Sequence, residues 1–274
     1  MGISRQAYYY KPIDKTEKIN QDKTLCKMIE EIALKHPYYG HRRVTAALRR
    51  KDVTVNKKKV LKLMKRMGIQ VKRRKKFAKT TDSSHNLRSY PNLIKDLKIK
   101  RIDQVWCSDI TYIGLRYGFA YLAAIIDAFS RKAVGYCLAR TLAAEISLNA
   151  LKMAIRARNT DDLIHHSDKG IQYCCTEYIK LLKKHNIKIS MSAKGNPTEN
   201  AIAESFMGTL KIEEVYMWEY ETYADVVERI PYFIEEVYNR KRLHSSIGYM
   251  PPEEFENKLI DNINNSGKIY SKLR

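Results

Sequence analysis

Three acidic residues stand where an ionised side chain needs a partner. Asp109 lies inside the apolar run VWCSDITYI, flanked by Trp106 and Ile110. A carboxylate in so apolar a setting is costly to bury unless something charged meets it. Asp168 follows a short stretch ending His165-His166-Ser167 and precedes Gly170. That context predicts the carboxyl edge of a strand, where α/β sheets gather their ligands. Glu204 falls on a predicted helix after the glycine-proline loop KGNPTEN. Three carboxylates of this kind suit attack on a phosphodiester. Two Mg²⁺ ions about 3.5–4 Å apart clamp the attacking and leaving oxygens, and Mg²⁺ takes oxygen ligands. One aspartate would bridge both ions while the other two acids each hold one; Mn²⁺ is expected to substitute. The 35 residues between Asp168 and Glu204 carry little information alone, so the local context of all three acids has to supply it.

The elements that would position these acids begin at residue 105. VWCSDITYIG, FAYLAAIID and KAVGYCLAR read as three β-rich runs separated by the turns LRYG and AFSR. A helix is predicted at about 142–158, a short strand at DLIHHS, a helix at about 172–186 and a strand at IKISMS. The helix carrying Glu204 then begins near Ala201. Strands in series followed by alternating helix and strand make a mixed α/β arrangement.

Upstream, residues 22–68 read as three short helices. Leu25, Met28, Ile29 and Ile32 mark the first, which ends near His36-Pro37; Val44, Ala47 and Leu48 mark the second, at about 41–50. The third has Asn56 as N-cap, the stripe Val60, Leu63, Met64 and Met67, and Gly68 as its stop. Its outer face carries Lys57, Lys58, Lys59, Lys62, Lys65 and Arg66, while Arg42 and Arg43 face outward on the second helix. Two short helices joined by a turn, the second rich in cations, suit helix-turn-helix docking in a major groove.

Charge is distributed to match. Net charge is +21, yet residues 1–104 hold 29 Lys and Arg against 9 Asp and Glu, while residues 105–274 hold 22 against 21. The excess sits on the first 104 residues, as for an arm that meets a polyanion. The run VKRRKKFAK at 71–79, with Arg73 and Arg74, extends it. No apolar run approaches the ~18 residues of a membrane span, and the N-terminus lacks the apolar core of a signal peptide. Five cysteines, none in a C-x-x-C pair, do not form a disulfide framework. A cytoplasmic, nucleoid-associated protein without membrane contact is expected.

The chain resembles the transposases of bacterial insertion sequences that share a catalytic core with retroviral integrases, and most closely the group encoded in a second, downstream reading frame. The resemblance runs through GISRQAYYYKP, HPYYGHRRVTAALRR, VNKKKVLKLMKRMGI, VWCSDITYI, IIDAFSRKAVGY, HSDKGIQY, MSAKGNPTENAIAESFMGTLK and YNRKRLHSSIGYMPPEEF. These eight segments, in order, cover nearly the whole chain. The likeness departs at Thr198-Glu199, where Tyr-Asp is more usual, and at Ile247, where Leu is.

The resemblance implies an RNase H-like five-stranded mixed sheet with helices on both faces, preceded by a small all-α helix-turn-helix-like domain. Its expected organisation is a basic DNA-binding region at 1–79, a linker at 80–103, the catalytic core at 104–215 and a C-terminal helical extension at 216–274. Asp109, Asp168 and Glu204 map onto the three metal-binding acids, and Lys211 onto a basic residue seven positions later. Seven residues is almost two helical turns, so Lys211 shares Glu204's face and is expected to meet a DNA phosphate. Asn200 is expected on that face too, touching DNA or steadying the glutamate. Arg42, Arg43, Lys57, Lys58, Lys62, Arg73 and Arg74 are the other residues expected to meet DNA. For Arg242 and His244, a place against DNA and packing against the core are equally open. Asp127 is expected in a turn or at a sheet edge, and His166 is expected to support Asp168.

The implied activity is metal-assisted cleavage of element-end DNA, followed by attack of the freed 3′-hydroxyl on another phosphodiester. The implied partners are double-stranded DNA, both element ends and target, other copies of the chain, and an upstream-frame protein or fusion. A catalytically silent DNA-binding regulator and an RNase H-type nuclease are the alternatives. The nuclease has no need of the basic arm.

Overall fold

The computed structural model describes residues 15–71, 89–193 and 200–271. They fall into two units, Met1–Lys76 and Phe77–Arg274.

The first unit contains helices α1 (Lys15–Lys35), α2 (His41–Arg49) and α3 (Lys57–Arg66). Each contributes one apolar stripe to a shared core of Leu25, Ile29, Ile32, Val44, Leu48, Val60, Leu63 and Met64. Tyr39 closes the corner between α1 and α2, stacked on His36 with ring centroids 4.4 Å apart. Asn56 caps α3 as expected, its side chain accepting the Lys58 N–H at 2.8 Å. Gly68 ends it at φ +70°, while the Ile69 N–H donates back to the Met64 carbonyl at 3.2 Å.

The second unit is built on five strands: β1 (Val105–Gly114), β2 (Phe119–Asp127), β3 (Ala133–Ala139), β4 (Ile164–Ser167) and β5 (Lys188–Met191). Their order is β3-β2-β1-β4-β5. β1 pairs antiparallel with β2, and β2 with β3; β4 and β5 join in parallel. The expected RNase H-like mixed sheet is thus present, with β1 at its centre.

Both faces are covered, which is why β2 reads as a continuous apolar run rather than an alternating one. Ala120, Leu122, Ala124 and Ile126 pack with Phe206, Met207, Leu210, Ile230 and Phe233. Ala123 and Ile125 pack with Ile146, Ala150, Leu151, Tyr173 and Tyr178. The second face is covered by α4 (Ala144–Ala157), α5 (Ile171–Cys174) and α6 (Thr176–Lys184), where a single helix was expected at about 172–186. Gly135 lets α4 lie close on β3, because a Cβ there would sit 2.4 Å from the Ala150 carbonyl oxygen.

On the first face lie α7 (Ala201–Leu210), which runs on into a π-helical turn at Lys211–Val215, and α8 (Tyr223–Tyr232), followed by α9 (Pro252–Ser271). A capping box starts α8: Thr222 accepts the Asp225 N–H, and Asp225 accepts the Thr222 N–H. Glu256 anchors α9 through a bidentate pair with Arg158, both bonds at 2.8 Å.

Residues 89–103, expected as the second half of a linker, lie against this sheet. The Leu93 N–H donates to Ser190 Oγ at 2.8 Å, and Ile94, Leu97 and Ile99 pack on Val105, Cys107, Ala128 and Ala203.

Candidate active site

The parallel pairing of β1 with β4 sets Cys107 opposite His166. Two residues further along each segment stand Asp109 and Asp168. The Asp109 Oδ1 accepts the N–H of Ile110 at 2.9 Å. The Asp168 Oδ1 accepts the N–H of Gly170, also at 2.9 Å. A Cβ at Gly170 would crowd the same oxygen at 3.0 Å, so glycine leaves the carboxylate its place. Glu204, in the first turn of α7, is exposed.

These acids feel one another. Burial pushes the Asp109 carboxyl up to about 7, and the nearby Asp168 and Glu204 carboxylates push in the same direction. The Ile110 N–H and the Lys211 ammonium pull it partly back. Burial in turn lowers Lys211, against the attraction of Asp109. The Lys211 ammonium lies 4.4 Å from the centroid of the Tyr112 ring, a cation–π contact that holds it in place.

Such a donor set fits a divalent cation. Carboxylate oxygens are its preferred ligands, and its charge would relieve the repulsion that raises Asp109. Among the described residues, however, no three acidic, histidine or cysteine side chains stand close enough together to ligate an ion as they are. The exposed Glu204 is the acid with room to move in.

Other expected site residues divide between surface and core. Arg42, Lys57, Lys58 and Lys62 are exposed on α2 and α3. Arg43 is half-buried, its guanidinium 5.6 Å from the Tyr39 ring centroid. Arg73 and Arg74 lie outside the described residues.

Asn200 and Arg242, for each of which a DNA contact was one of two expectations, are buried. Asn200 is 4% exposed, and its Nδ2 donates to the Ser108 carbonyl at 2.9 Å. Arg242 is 6% exposed and grips Glu213 through two bonds of 2.9 and 2.8 Å. His244 packs edge-on against Tyr238, centroids 4.6 Å apart. Packing therefore accounts for both Arg242 and His244.

Asp127 organises a turn, as expected. Its Oδ1 accepts the N–H groups of Phe129 and Ser130, and its Oδ2 accepts that of Asp103. The His166 Nδ1 pairs with Ser190 Oγ at 2.8 Å, tying β4 to β5 beside Asp168.

Sequence reasoning missed Ser108, Tyr112 and Tyr173. Ser108 and Tyr173 share a hydrogen bond of 3.0 Å beside the acids. Their one signal was position, since each lies within a motif segment that also holds an acid.

Comparison with known proteins agrees with this layout. An HTH-like domain model matches residues 20–77 and so spans the three helices of the first unit. Integrase core domain models match residues 100–197, with Asp109 and Asp168, and residues 185–252, with Glu204 and Lys211. The insertion element IS600 uncharacterized 31 kDa protein of Shigella sonnei is 35% identical, over 94% of this chain and 96% of its own length. The transposase InsF for insertion sequence IS3A of Escherichia coli is 36% identical, over 80% of this chain and 77% of its own. The chain belongs to the family of insertion-sequence transposases.

Among solved structures, the simian T-cell lymphotropic virus intasome is similar over 83% of this chain and 73% of that one, at 13% identity and a TM-score of 0.48. Among the described residues, no helix of this family member is long and apolar enough to cross a membrane.

Proposed function

We propose that this chain is a DNA transposase that cuts element-end DNA and joins the freed 3′-hydroxyl to a second phosphodiester. The observation that carries the reading is the sheet register: β1 pairs in parallel with β4, so Asp109 and Asp168 each stand two residues beyond the paired Cys107 and His166. Glu204 and Lys211 come from the helix that packs on β1 and from its π-helical continuation, near enough to Asp109 to act on its charge.

Asp109, Asp168 and Glu204 would hold two Mg²⁺ or Mn²⁺ ions. When bound, such ions supply activation of the attacking oxygen and stabilisation of the leaving one. The Ile110 and Gly170 N–H groups each fix a carboxylate rotamer, so the ligands are oriented in advance. Lys211, steadied by Tyr112, offers its ammonium to a phosphate beside the acids. In the first step water forms a new P–O bond as the P–O3′ bond breaks, so the 3′-oxygen departs as a hydroxyl and the phosphate stays on the other fragment. In the second, that hydroxyl forms a new P–O bond as the target's own 3′-oxygen departs. No protein nucleophile is needed. The Cys107 thiol, pushed up to about 12 by burial, is no candidate for one.

The first unit supplies the grip. Its α3 suits a major groove, with Arg42, Arg43, Lys57, Lys58 and Lys62 meeting phosphates and Arg73 and Arg74 adding their charge. Pairing two element ends calls for more than one copy of the chain on DNA.

The test is a cleavage and joining assay on labelled element-end DNA with Mg²⁺, repeated with chelator and with Asp168→Asn. Wild type should cut and join only with the metal, and Asp168→Asn should bind DNA normally but do neither. Equal activity in chelator or in the variant would overturn the reading.

A further inference from the structure

The acids sit on three separate segments, and one buried residue touches all of them. Ser108 immediately precedes Asp109 on β1. Its carbonyl accepts the Asn200 Nδ2 at 2.9 Å, four residues before Glu204. Its hydroxyl donates to the Tyr173 OH at 3.0 Å, five residues after Asp168. Ser108, Tyr173 and Asn200 are 1%, 2% and 4% exposed, so water does not stand ready to replace either bond.

We infer that Ser108, Tyr173 and Asn200 form a buried clasp that sets the spacing of the three carboxylates and so tunes the cation site. They are positioning residues and do not touch the reacting DNA. The inference rests on the reading of Asp109, Asp168 and Glu204 as cation ligands.

The clasp answers a mechanical need. Sheet pairing fixes β1 against β4, but no strand pairing holds α7 to β1. Apolar packing of Ala203 on Val105 and Cys107 presses the helix down. Such packing is non-directional, whereas a hydrogen bond fixes both distance and angle. Before a cation arrives, repulsion between carboxylates works against drawing their segments together. A clasp of uncharged groups resists that push without adding a charge of its own. Its far end is anchored as well. Tyr173 meets Tyr178 edge-on at 5.5 Å, and the Tyr178 OH pairs with His165 Nε2 on β4 at 2.8 Å. Groups that orient metal ligands in this way typically change metal affinity or activity about 10–100-fold when removed.

The experiment uses the full chain and Mn²⁺ as the probe. Calorimetric titration without DNA would compare wild type, Tyr173→Phe, Asn200→Ala and Glu204→Gln, alongside DNA affinity and thermal melting in chelator. Tyr173→Phe keeps the ring and the fold while deleting one bond, so it decides the matter if Asn200→Ala does not fold. Both clasp variants should bind Mn²⁺ about tenfold more weakly or worse, hold DNA as tightly as wild type, and recover cleavage at high Mn²⁺. Wild-type Mn²⁺ affinity in a folded Tyr173→Phe would overturn the clasp. So would an Asn200→Ala that loses DNA affinity while keeping Mn²⁺. If Glu204→Gln itself binds Mn²⁺ normally, the cation-site reading fails first and the clasp falls with it.

Discussion

Lys57, Lys58 and Lys62 in the first unit and Arg158, Arg229 and Arg242 in the second carry the same charge but opposite assignments. The three lysines stand exposed on α3. The three arginines are engaged by Glu256, Glu214 and Glu213, at 2.8 Å in each case. Net charge follows from this use. Where cations await a polyanion, the sequence piles up excess; where cations pair with buried carboxylates, the count balances. The basic unit therefore suits gripping DNA at long range, and the near-neutral unit suits placing a few groups accurately. A basic residue in the second unit is thus a structural residue until its exposure says otherwise, and Lys211, which approaches the acids, is the exception that matters.

The contrast breaks most easily at Arg242. Arg242→Ala would remove the two-bond pair with the largely enclosed Glu213 carboxylate, a loss of about 3 kcal/mol visible as a lower melting temperature. The salt dependence of DNA binding should not change. A shallower salt slope without loss of stability would return Arg242 to the DNA surface.

Asp109 offers a pH test of the second unit. Its carboxyl rises from 3.8 to about 7 in the folded chain. The folded state therefore holds its proton over a range where the unfolded state has lost it. That contribution to stability is present below pH 3.8 and is lost as pH climbs towards 7, by roughly 4 kcal/mol at most. In chelator, denaturant melts of Asp109→Asn should show a flatter pH profile and greater stability than wild type at about pH 8, above the folded-state value. Parallel profiles would mean that Asp109 ionises normally.

In the first unit, replacing Lys57, Lys58 and Lys62 together by alanine should weaken DNA binding without changing the fold. The logarithmic salt slope should fall by about 2 to 3, near 0.9 for each phosphate no longer neutralised. An unchanged slope would move the DNA surface elsewhere.

The smallest effect is expected at Tyr112. Tyr112→Leu should slow joining a few-fold, in line with about 1 kcal/mol for a cation–π contact, and Tyr112→Phe should restore it. Identical rates in all three would show that Lys211 needs no support.

How far these roles could be read from sequence depended on their range. Asn56 and Gly68 bound α3 through local chemistry, and both were legible because capping acts within a few residues. The strands were legible because two covered faces make unbroken apolar runs such as FAYLAAIID. The three acids proposed as cation ligands rest on motif context, with Asp109 also marked by its apolar strand. Asn200 and Arg242 were harder. A helical wheel shows which residues share a face but not that Ser108, 92 residues away in sequence, captures Asn200. Nor does it show that Glu213 captures Arg242. The bonds joining Ser108 to Tyr173 and Arg158 to Glu256 were invisible for the same reason: each joins segments brought together only by the sheet and the helices covering it.

The most direct test of the whole account is single-turnover cleavage and joining of element-end DNA by Glu204→Gln beside wild type, with DNA affinity measured on the same samples. Glutamine keeps the side chain's size and removes its charge. The account predicts unchanged DNA binding with cleavage and joining lost together, by about a thousandfold or more, since ~4 kcal/mol of transition-state stabilisation corresponds to that factor. Equal rates for the two proteins would contradict it, because Glu204 would then hold no cation and the three acids would not be the catalytic set.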